Sequence, residues 1–193
     1  MISLQKKIKY HSLAIEEILK QDSEIKKIID LLVKKITNGG KVFFCGNGGS
    51  CSDAQHLAAE MLIRLKPKNN RKPMPAISLA TDTSTLTACG NDYDFNEIFS
   101  RPFEALSEKK DILFIISTSG NSQNIVNVLK KAKKKGITSI GFLGKNGGKC
   151  KILCKNKIIV SSNNTAIIQE CHIFLGHFII EEVEKILLEK KII

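Results

Sequence analysis

Two small-residue loops in this sequence are suited to holding an anion. In Cys45-Gly46-Asn47-Gly48-Gly49-Ser50 the apolar run Val42-Phe43-Phe44 stops and a helical pattern begins at once. The first turn of a helix leaves N–H groups without partners, and its aligned peptide dipoles add positive charge, so a phosphate or carboxylate is bound there. Glycines at 46, 48 and 49 allow positive φ and a close backbone approach to a ligand. The same residues also make an ordinary tight turn. The loop has neither the lysine of a P-loop nor the third glycine of a dinucleotide fingerprint, which disfavours nucleoside triphosphates and NAD. A second loop, Ser117-Thr118-Ser119-Gly120-Asn121-Ser122, follows the apolar run Ile112–Ile116 and precedes another helical face at Ile125, Val126, Val128 and Leu129. Its hydroxyls are able to donate to phosphate oxygens without a cation; one of them serves as an N-cap, and the cluster exceeds what capping needs.

Titratable groups lie near both loops. His56 and Glu60 are four residues apart on the helical stretch after the first loop, about 40° apart around the axis, so they share a face. The pair reads either as an exposed i,i+4 contact or as an acid–base set. Gln169, His172 and His177 lie among Ile167, Ile168, Ile173, Phe174, Phe178 and Ile179. A histidine on such a face is ordinarily a core residue; yet imidazole with carboxylate on one helix, and imidazole with amide on another, is also a divalent-metal set. Asn91-Asp92, within Ala88–Phe95, reads as a polar turn by composition, and His11 as the polar edge of the first helix.

The elements that must position these groups follow from periodicity. Helices are expected at 3–20 and, after Gln21-Asp22-Ser23, through Ile36 to a C-cap at Asn38-Gly39-Gly40. Strands at 41–45, 75–80, 111–116, 137–143 and 157–161 then alternate with helices at 50–64, 96–107, 122–135 and 166–190. Near-continuously apolar strands separated by helices imply a parallel sheet covered on both faces, a three-layer doubly wound α/β sandwich of five strands. The expected organisation is one domain over 1–193, with a helical extension at 1–38 and the α/β core at 39–193. Lys66–Pro73 is the only linker-like segment. In such sheets ligands bind beyond the C-terminal strand ends, where both small-residue loops fall, so one ligand is able to touch both.

Length and composition agree with one well-buried domain: 193 residues, 42% hydrophobic. The net charge of +11 comes largely from lysine pairs on polar helix faces with few aromatics between them. That is a solvated surface that draws in small polyanions, and neither a nucleic-acid partner nor a membrane partner is expected. The six cysteines have no zinc-ribbon spacing, and Cys150-x3-Cys154 has no second pair to complete a metal site; they read as free thiols in a reducing compartment. The N-terminal residues lack an apolar signal region and no apolar run approaches bilayer length, so a cytoplasmic location is expected.

Taken together, Cys45–Ser50 with Asp53-Ala54-x-His56-x-x-x-Glu60, Gly90-Asn91-Asp92-Tyr93-Asp94-Phe95-Asn96-x-Ile98-Phe99-Ser100-Arg101, Ser117–Ser122, and Gln169-Glu170-x-His172-x-x-x-x-His177 resemble the phosphoheptose isomerase family of the sugar isomerase (SIS) domain superfamily. The match runs in order over nearly the whole chain. The resemblance implies an aldose–ketose isomerase that converts sedoheptulose 7-phosphate to D-glycero-D-manno-heptose 7-phosphate through an enediol, the first step towards nucleotide-activated heptose for surface polysaccharide, lipopolysaccharide or capsule. It implies that Asn47, Gly48, Gly49, Ser50, Glu60, Asn91, Asp92, Ser117, Thr118, Ser119, Ser122 and Gln169 contact the sugar phosphate. Glu60 and His177 would transfer protons, and His56, Glu60, Gln169 and His177 would be associated with zinc. The sequence departs from the family at Cys51-Ser52, where His-Cys is more usual, and at Asn163–Ile167, which lacks the family's acidic and basic residues.

The chemistry suits these residue types, since moving a proton between C1 and C2 requires a base at carbon and an acid at the oxygens. Gln169 and His177 would lie about 12 Å apart on a continuous helix. One metal ion cannot take both from it. Either the helix begins after Gln169 or the site is shared between subunits, and the family's homotetramers favour sharing. The alternative is a non-enzymatic relative in the same superfamily that binds sugar phosphates or the replication initiator DnaA; loss of the acid and base would mark it, and His56, Glu60 and His177 are all retained.

Overall fold

The structure, a computed structural model, describes residues 3–193. Strands β1 (Val42–Gly46), β2 (Ala76–Ser78), β3 (Ile112–Ser117), β4 (Thr138–Gly144) and β5 (Asn156–Val160) form one sheet in the order β2-β1-β3-β4-β5, every neighbour parallel. Helices α1 (Leu4–Leu19), α2 (Asp22–Thr37), α3 (Gly49–Leu62), α4 (Thr83–Asp92), α5 (Ser100–Leu106), α6 (Gln123–Lys134), α7 (Cys150–Leu153) and α8 (Thr165–Glu189) cover it.

Side-chain alternation along each strand creates two cores. Val42, Phe44, Ile112, Phe114, Ile140 and Phe142 face α2, α3 and α8, whereas Phe43, Cys45, Leu113, Ile115 and Leu143 face α5 and α6. Aromatic rings run across the first face, Phe44 to Phe114 at 5.1 Å and Phe114 to Phe142 at 4.8 Å, while Phe103 of α5 meets Phe43 at 5.3 Å on the other. Burial of each such side chain stabilises the fold by about 1.5–3 kcal/mol, which fixes the layers. This is the three-layer sandwich expected from the sequence.

Three local expectations change. Within the segment 1–38, α2 buries Ile25, Ile28, Ile29, Leu32, Val33 and Ile36 and belongs to a core layer, while α1 buries only Ile18 and leaves Leu4 and Ile8 exposed. The Asn91-Asp92 turn is instead the last turn of α4, a helix that Asp82 starts by accepting from the Ser84 N–H. The helix expected at 96–107 is a single 3-10 turn, Phe95–Glu97, followed by the short α5.

All six cysteines are free thiols. Burial pushes Cys150 up to about 11 and Cys154 up to about 12, so both stay protonated and are poor metal ligands. Among the described residues, no helix is long and apolar enough to cross a membrane.

Candidate active site

The strand order reverses between β1 and β3, whose C-terminal ends meet where Gly46 pairs with Ile116. A crevice therefore opens there, flanked by the loops leading into α3 and α6. Gly48 occupies the N-cap of α3 at φ 56°, a left-handed conformation that glycine adopts without strain, and contributes no side-chain cap. Ser122 is the N-cap of α6 and likewise makes no side-chain cap bond. By contrast, Ser3, Asp82 and Asn164 each accept from the first turns of α1, α4 and α8. The positive ends of α3 and α6 thus face the crevice without an N-cap side chain across them, although the Asn47 and Gly48 carbonyls accept from the first turn of α3 and Asn124 Oδ1 from Ile125 N.

The hydroxyl loop is held in shape by its own backbone. Ser117 Oγ accepts from Gly120 N at 3.1 Å and Ser119 Oγ from Asn121 N at 3.2 Å, which leaves both O–H protons free to donate. The loop packs back to back on the β4–α7 turn: a Cβ on Gly120, whose φ is 63°, would lie 2.0 Å from the Gly147 carbonyl oxygen. The two loops are joined by a reciprocal amide pair. Asn47 Nδ2 donates to Asn124 Oδ1 and Asn124 Nδ2 to Asn47 Oδ1, both at 2.9 Å, and Asn124 Oδ1 also receives the Ile125 N–H. Asn124 is buried and was not among the candidates from the sequence; a polar side chain in the first turn of α6, directly before the apolar Ile125-Val126, is the signal that would have found it.

α3 and α8 lie side by side and advance in the same direction. Gly49 lies against Gln169, since a Cβ there would be 2.4 Å from Gln169 Nε2, and Gly176 lies against Leu57, where a Cβ would be 2.6 Å from Leu57 Cδ2. The close approach at Gly176 brings the adjacent His177 to His56, with Nε2 to Nε2 at 2.8 Å and the rings edge-to-face at 5.0 Å. One imidazole donates and the other accepts. Glu60 Oε1 is 3.5 Å from His56 Nε2. The three groups that the spacing placed on two helix faces are therefore one cluster, an imidazole pair beside a carboxylate.

The remaining candidates divide by place. Gly48, Gly49, Ser50, Ser117, Thr118, Ser119 and Ser122 line or flank the crevice, Ser50 being buried in the first turn of α3. Asn91 and Asp92 are exposed at the end of α4, bonded to each other at 2.8 Å, beside Tyr93, which stacks under the Arg101 guanidinium at 3.7 Å. Asp53, one turn before His56, has a buried Oδ2 without a partner, and burial raises its carboxyl against a weaker opposing pull from His56. His172 is a core residue, as its apolar face suggested, with no exposed surface and its ring stacked on Phe142.

α8 is unbroken from Thr165 to Glu189, so the alternative in which the helix begins after Gln169 is overturned; its Asn164 cap already starts the helix ahead of Gln169. Gln169 sits at the crevice end and His177 about 12 Å further along. Along α3, Glu60 is about 16 Å beyond Gly49. A fully extended heptose phosphate spans only about 10 Å from C1 to phosphorus at ordinary bond lengths. By rise along the helix axes, Glu60 and His177 lie further from the crevice than such a molecule spans, whereas His56, about 10 Å beyond Gly49, lies at its limit.

The donor chemistry at the cluster suits zinc: two imidazole Nε2 atoms and a carboxylate oxygen from two helices. Tetrahedral ligands about 2.05 Å from zinc stand about 3.3 Å apart, so the imidazoles, now in hydrogen-bond contact, would separate by a fraction of an ångström. As placed, no three His, Cys, Asp or Glu among the described residues form a ready-made metal cage. His56, Glu60 and His177 fit such an ion after that adjustment; Gln169 of the same chain does not reach it.

The fold and crevice fall in the class of SIS-domain proteins: the sequence model of the SIS domain matches residues 8–144. The similarity is closer still to one group. The chain is 45% identical over 192 residues to the phosphoheptose isomerase of Clostridium acetobutylicum, covering 98% of this chain and 97% of that protein. It is 45% identical to that of Helicobacter pylori, covering 94% of each. The solved phosphoheptose isomerase of Neisseria gonorrhoeae superposes with a TM-score of 0.84 at 36% identity, over 95% of this chain and all of that one. The chain belongs to the phosphoheptose isomerase family of SIS-domain proteins.

Proposed function

We infer that this protein isomerises sedoheptulose 7-phosphate to D-glycero-D-manno-heptose 7-phosphate, the first step of nucleotide-activated heptose synthesis. The observation that carries the reading is the convergence of Glu60, His56 and His177 on adjoining turns of α3 and α8. A protein that only bound sugar phosphates or a replication initiator has no use for that cluster. Glu60 takes the C1 proton of the open-chain ketose and returns it at C2; His177 moves the hydroxyl and carbonyl protons. Gly48, Gly49, Ser50 and the hydroxyls of Ser117, Thr118, Ser119 and Ser122 hold the phosphate between two helix N-termini. Asn47 fixes that crevice through Asn124, and Asn91 and Asp92 address the sugar hydroxyls.

The axial distances from the crevice to Glu60 and His177 favour a working site assembled between copies of the chain in a homotetramer. One copy supplies the phosphate crevice and Gln169, and another supplies His56, Glu60 and His177. Exposed Phe174 and Phe178, flanking His177 on α8, support a covering partner there. Zinc held by His56, Glu60 and His177, with Gln169 from the other copy, would occupy the lone pairs that the proton transfers use, so a bound ion would be structural or inhibitory, or would stand in for them as a Lewis acid on the sugar carbonyl. Free, largely buried thiols support a cytoplasmic setting. The heptose product would feed lipopolysaccharide or capsule assembly.

The test follows conversion of sedoheptulose 7-phosphate by NMR in the wild type and in Glu60→Gln, which should retain substrate binding and lose turnover. Near-normal turnover in that variant refutes the assignment. Co-assembly of Glu60→Gln chains with chains carrying Ser117→Ala and Ser119→Ala should restore activity, since some composite sites then hold no substitution. No recovery, or an active monomer in sedimentation, refutes the shared site.

A further inference from the structure

The segment Lys66–Pro73, linker-like and basic in the sequence, is tied down by an ion pair whose side chains have almost no exposed surface, Arg71 with Glu184. Arg71 Nε donates to Glu184 Oε2 at 2.5 Å, and Asn69 Nδ2 donates to Glu184 Oε1 at 2.5 Å. The rest of the guanidinium holds the end of α3: Nη2 donates to the Glu60 carbonyl at 2.9 Å and Nη1 to the Met61 carbonyl at 3.0 Å, with Lys72 O as a further acceptor at 3.0 Å. Those carbonyls belong to the last turn of α3, where intrahelical donors run out. Glu184 lies on α8 two turns beyond His177. One guanidinium therefore links the backbone of Glu60 to the helix that carries His177, as a third contact after Gly49–Gln169 and Leu57–Gly176.

We propose that Arg71, paired with Glu184, is a positioning residue for the acid–base cluster, setting the offset of α3 against α8 so that Glu60, His56 and His177 meet. The inference rests on the proton-transfer roles given above to Glu60 and His177. Stability alone does not account for the pair. Taking both charges out of water costs several kcal/mol, and apolar side chains of similar volume fill such a place equally well. What apolar side chains lack is direction: the planar fork reaches a carboxylate and carbonyls on two elements at fixed angles, which a lysine's single nitrogen also fails to do. A misplacement of about 1 Å in a reacting group lowers turnover by on the order of 100-fold.

The experiment compares Arg71→Met/Glu184→Met with the wild type in the full-length protein, measuring melting temperature, kcat and KM for sedoheptulose 7-phosphate. The double variant should melt within a few degrees of the wild type, with kcat reduced by about 10- to 100-fold and KM nearly unchanged. Arg71→Lys should show the same loss of kcat. A double variant with wild-type kcat overturns the proposal, as does a kcat that falls only in step with the folded fraction. If the double variant does not fold, Glu184→Gln, which keeps shape and one acceptor, decides: reduced kcat at wild-type melting temperature supports positioning, and unchanged kcat overturns it. Should the wild type itself leave sedoheptulose 7-phosphate unconverted, the activity assignment fails separately. A crystal structure of Glu184→Gln then tests the pair alone, which requires the His56–His177 separation to depart from 2.8 Å.

Discussion

Replacing His172 with phenylalanine should remove much of the protein's sensitivity to mild acid. His172 has no exposed surface, its ring stacks on Phe142 at 5.6 Å, and neither ring nitrogen meets a partner in good hydrogen-bond geometry. Burial pushes its pKa from 6.5 down to about 4, against a weaker opposing pull from the Leu143 backbone. In the unfolded chain the imidazole takes a proton near pH 6.5, whereas in the folded chain it does so only near pH 4. Between these values the unfolded state binds more protons, so stability is full above about pH 6.5 and falls as pH drops towards 4. The shift corresponds to about 3 kcal/mol. Urea unfolding of wild type and His172→Phe at fixed protein concentration, from pH 7.5 to 4, reads the difference directly. The variant should match or exceed the wild type at pH 7.5, because an unsatisfied polar ring is removed. Its advantage should then grow by about 3 kcal/mol at pH 4. Asp53, raised by burial, acts in the opposite sense but is common to both proteins and cancels. Parallel stability profiles for the two proteins would refute the reasoning.

Two further substitutions probe the crevice. Gly120→Ala places a Cβ 2.0 Å from the Gly147 carbonyl oxygen at a φ of 63°, and should cost about 3–5 kcal/mol in denaturant unfolding; a loss under about 1 kcal/mol would mean that the two turns separate freely. Asn124→Leu leaves the Asn47 amide without its partner and should cost about 1–3 kcal/mol while weakening binding of inorganic phosphate by calorimetry; unchanged affinity would show that the amide pair does not shape the anion site.

The parallel sheet and the crevice were legible because their signals are local and strong. Unbroken apolar strands end in glycine or hydroxyl loops, and each such end proved to be a strand terminus in the sheet. α4 was not legible because Thr83-Ser84-Thr85-Leu86-Thr87 has weak helix propensity and the whole helix buries only Cys89, so it carries no apolar period. Helical spacing put His56 with Glu60, but the contact with His177 depends on the crossing at Leu57 and Gly176, two residues unremarkable in sequence. Arg71 and Glu184 were hidden for the same reason: 113 positions separate them, and in one dimension an arginine with a buried side chain looks like any other residue of a basic loop. The continuous helix through Gln169 settled one of two open geometries, since a residue pair's spacing along a helix is known only once the helix start is known.

The pairing of α3 with α8 also governs how the protein comes into being. Glu60 and His177 are separated by about 120 residues of chain, so at roughly 5–20 residues per second the second leaves the ribosome some 6–25 s after the first. During that interval the face of the sheet bearing Phe44, Phe114 and Phe142 lacks the helix that later seals it. The nascent chain is then sticky and chemically silent together, and one event, the docking of α8, ends both conditions. A product cut short before α8 would leave that apolar face open and become a substrate for chaperones and proteases.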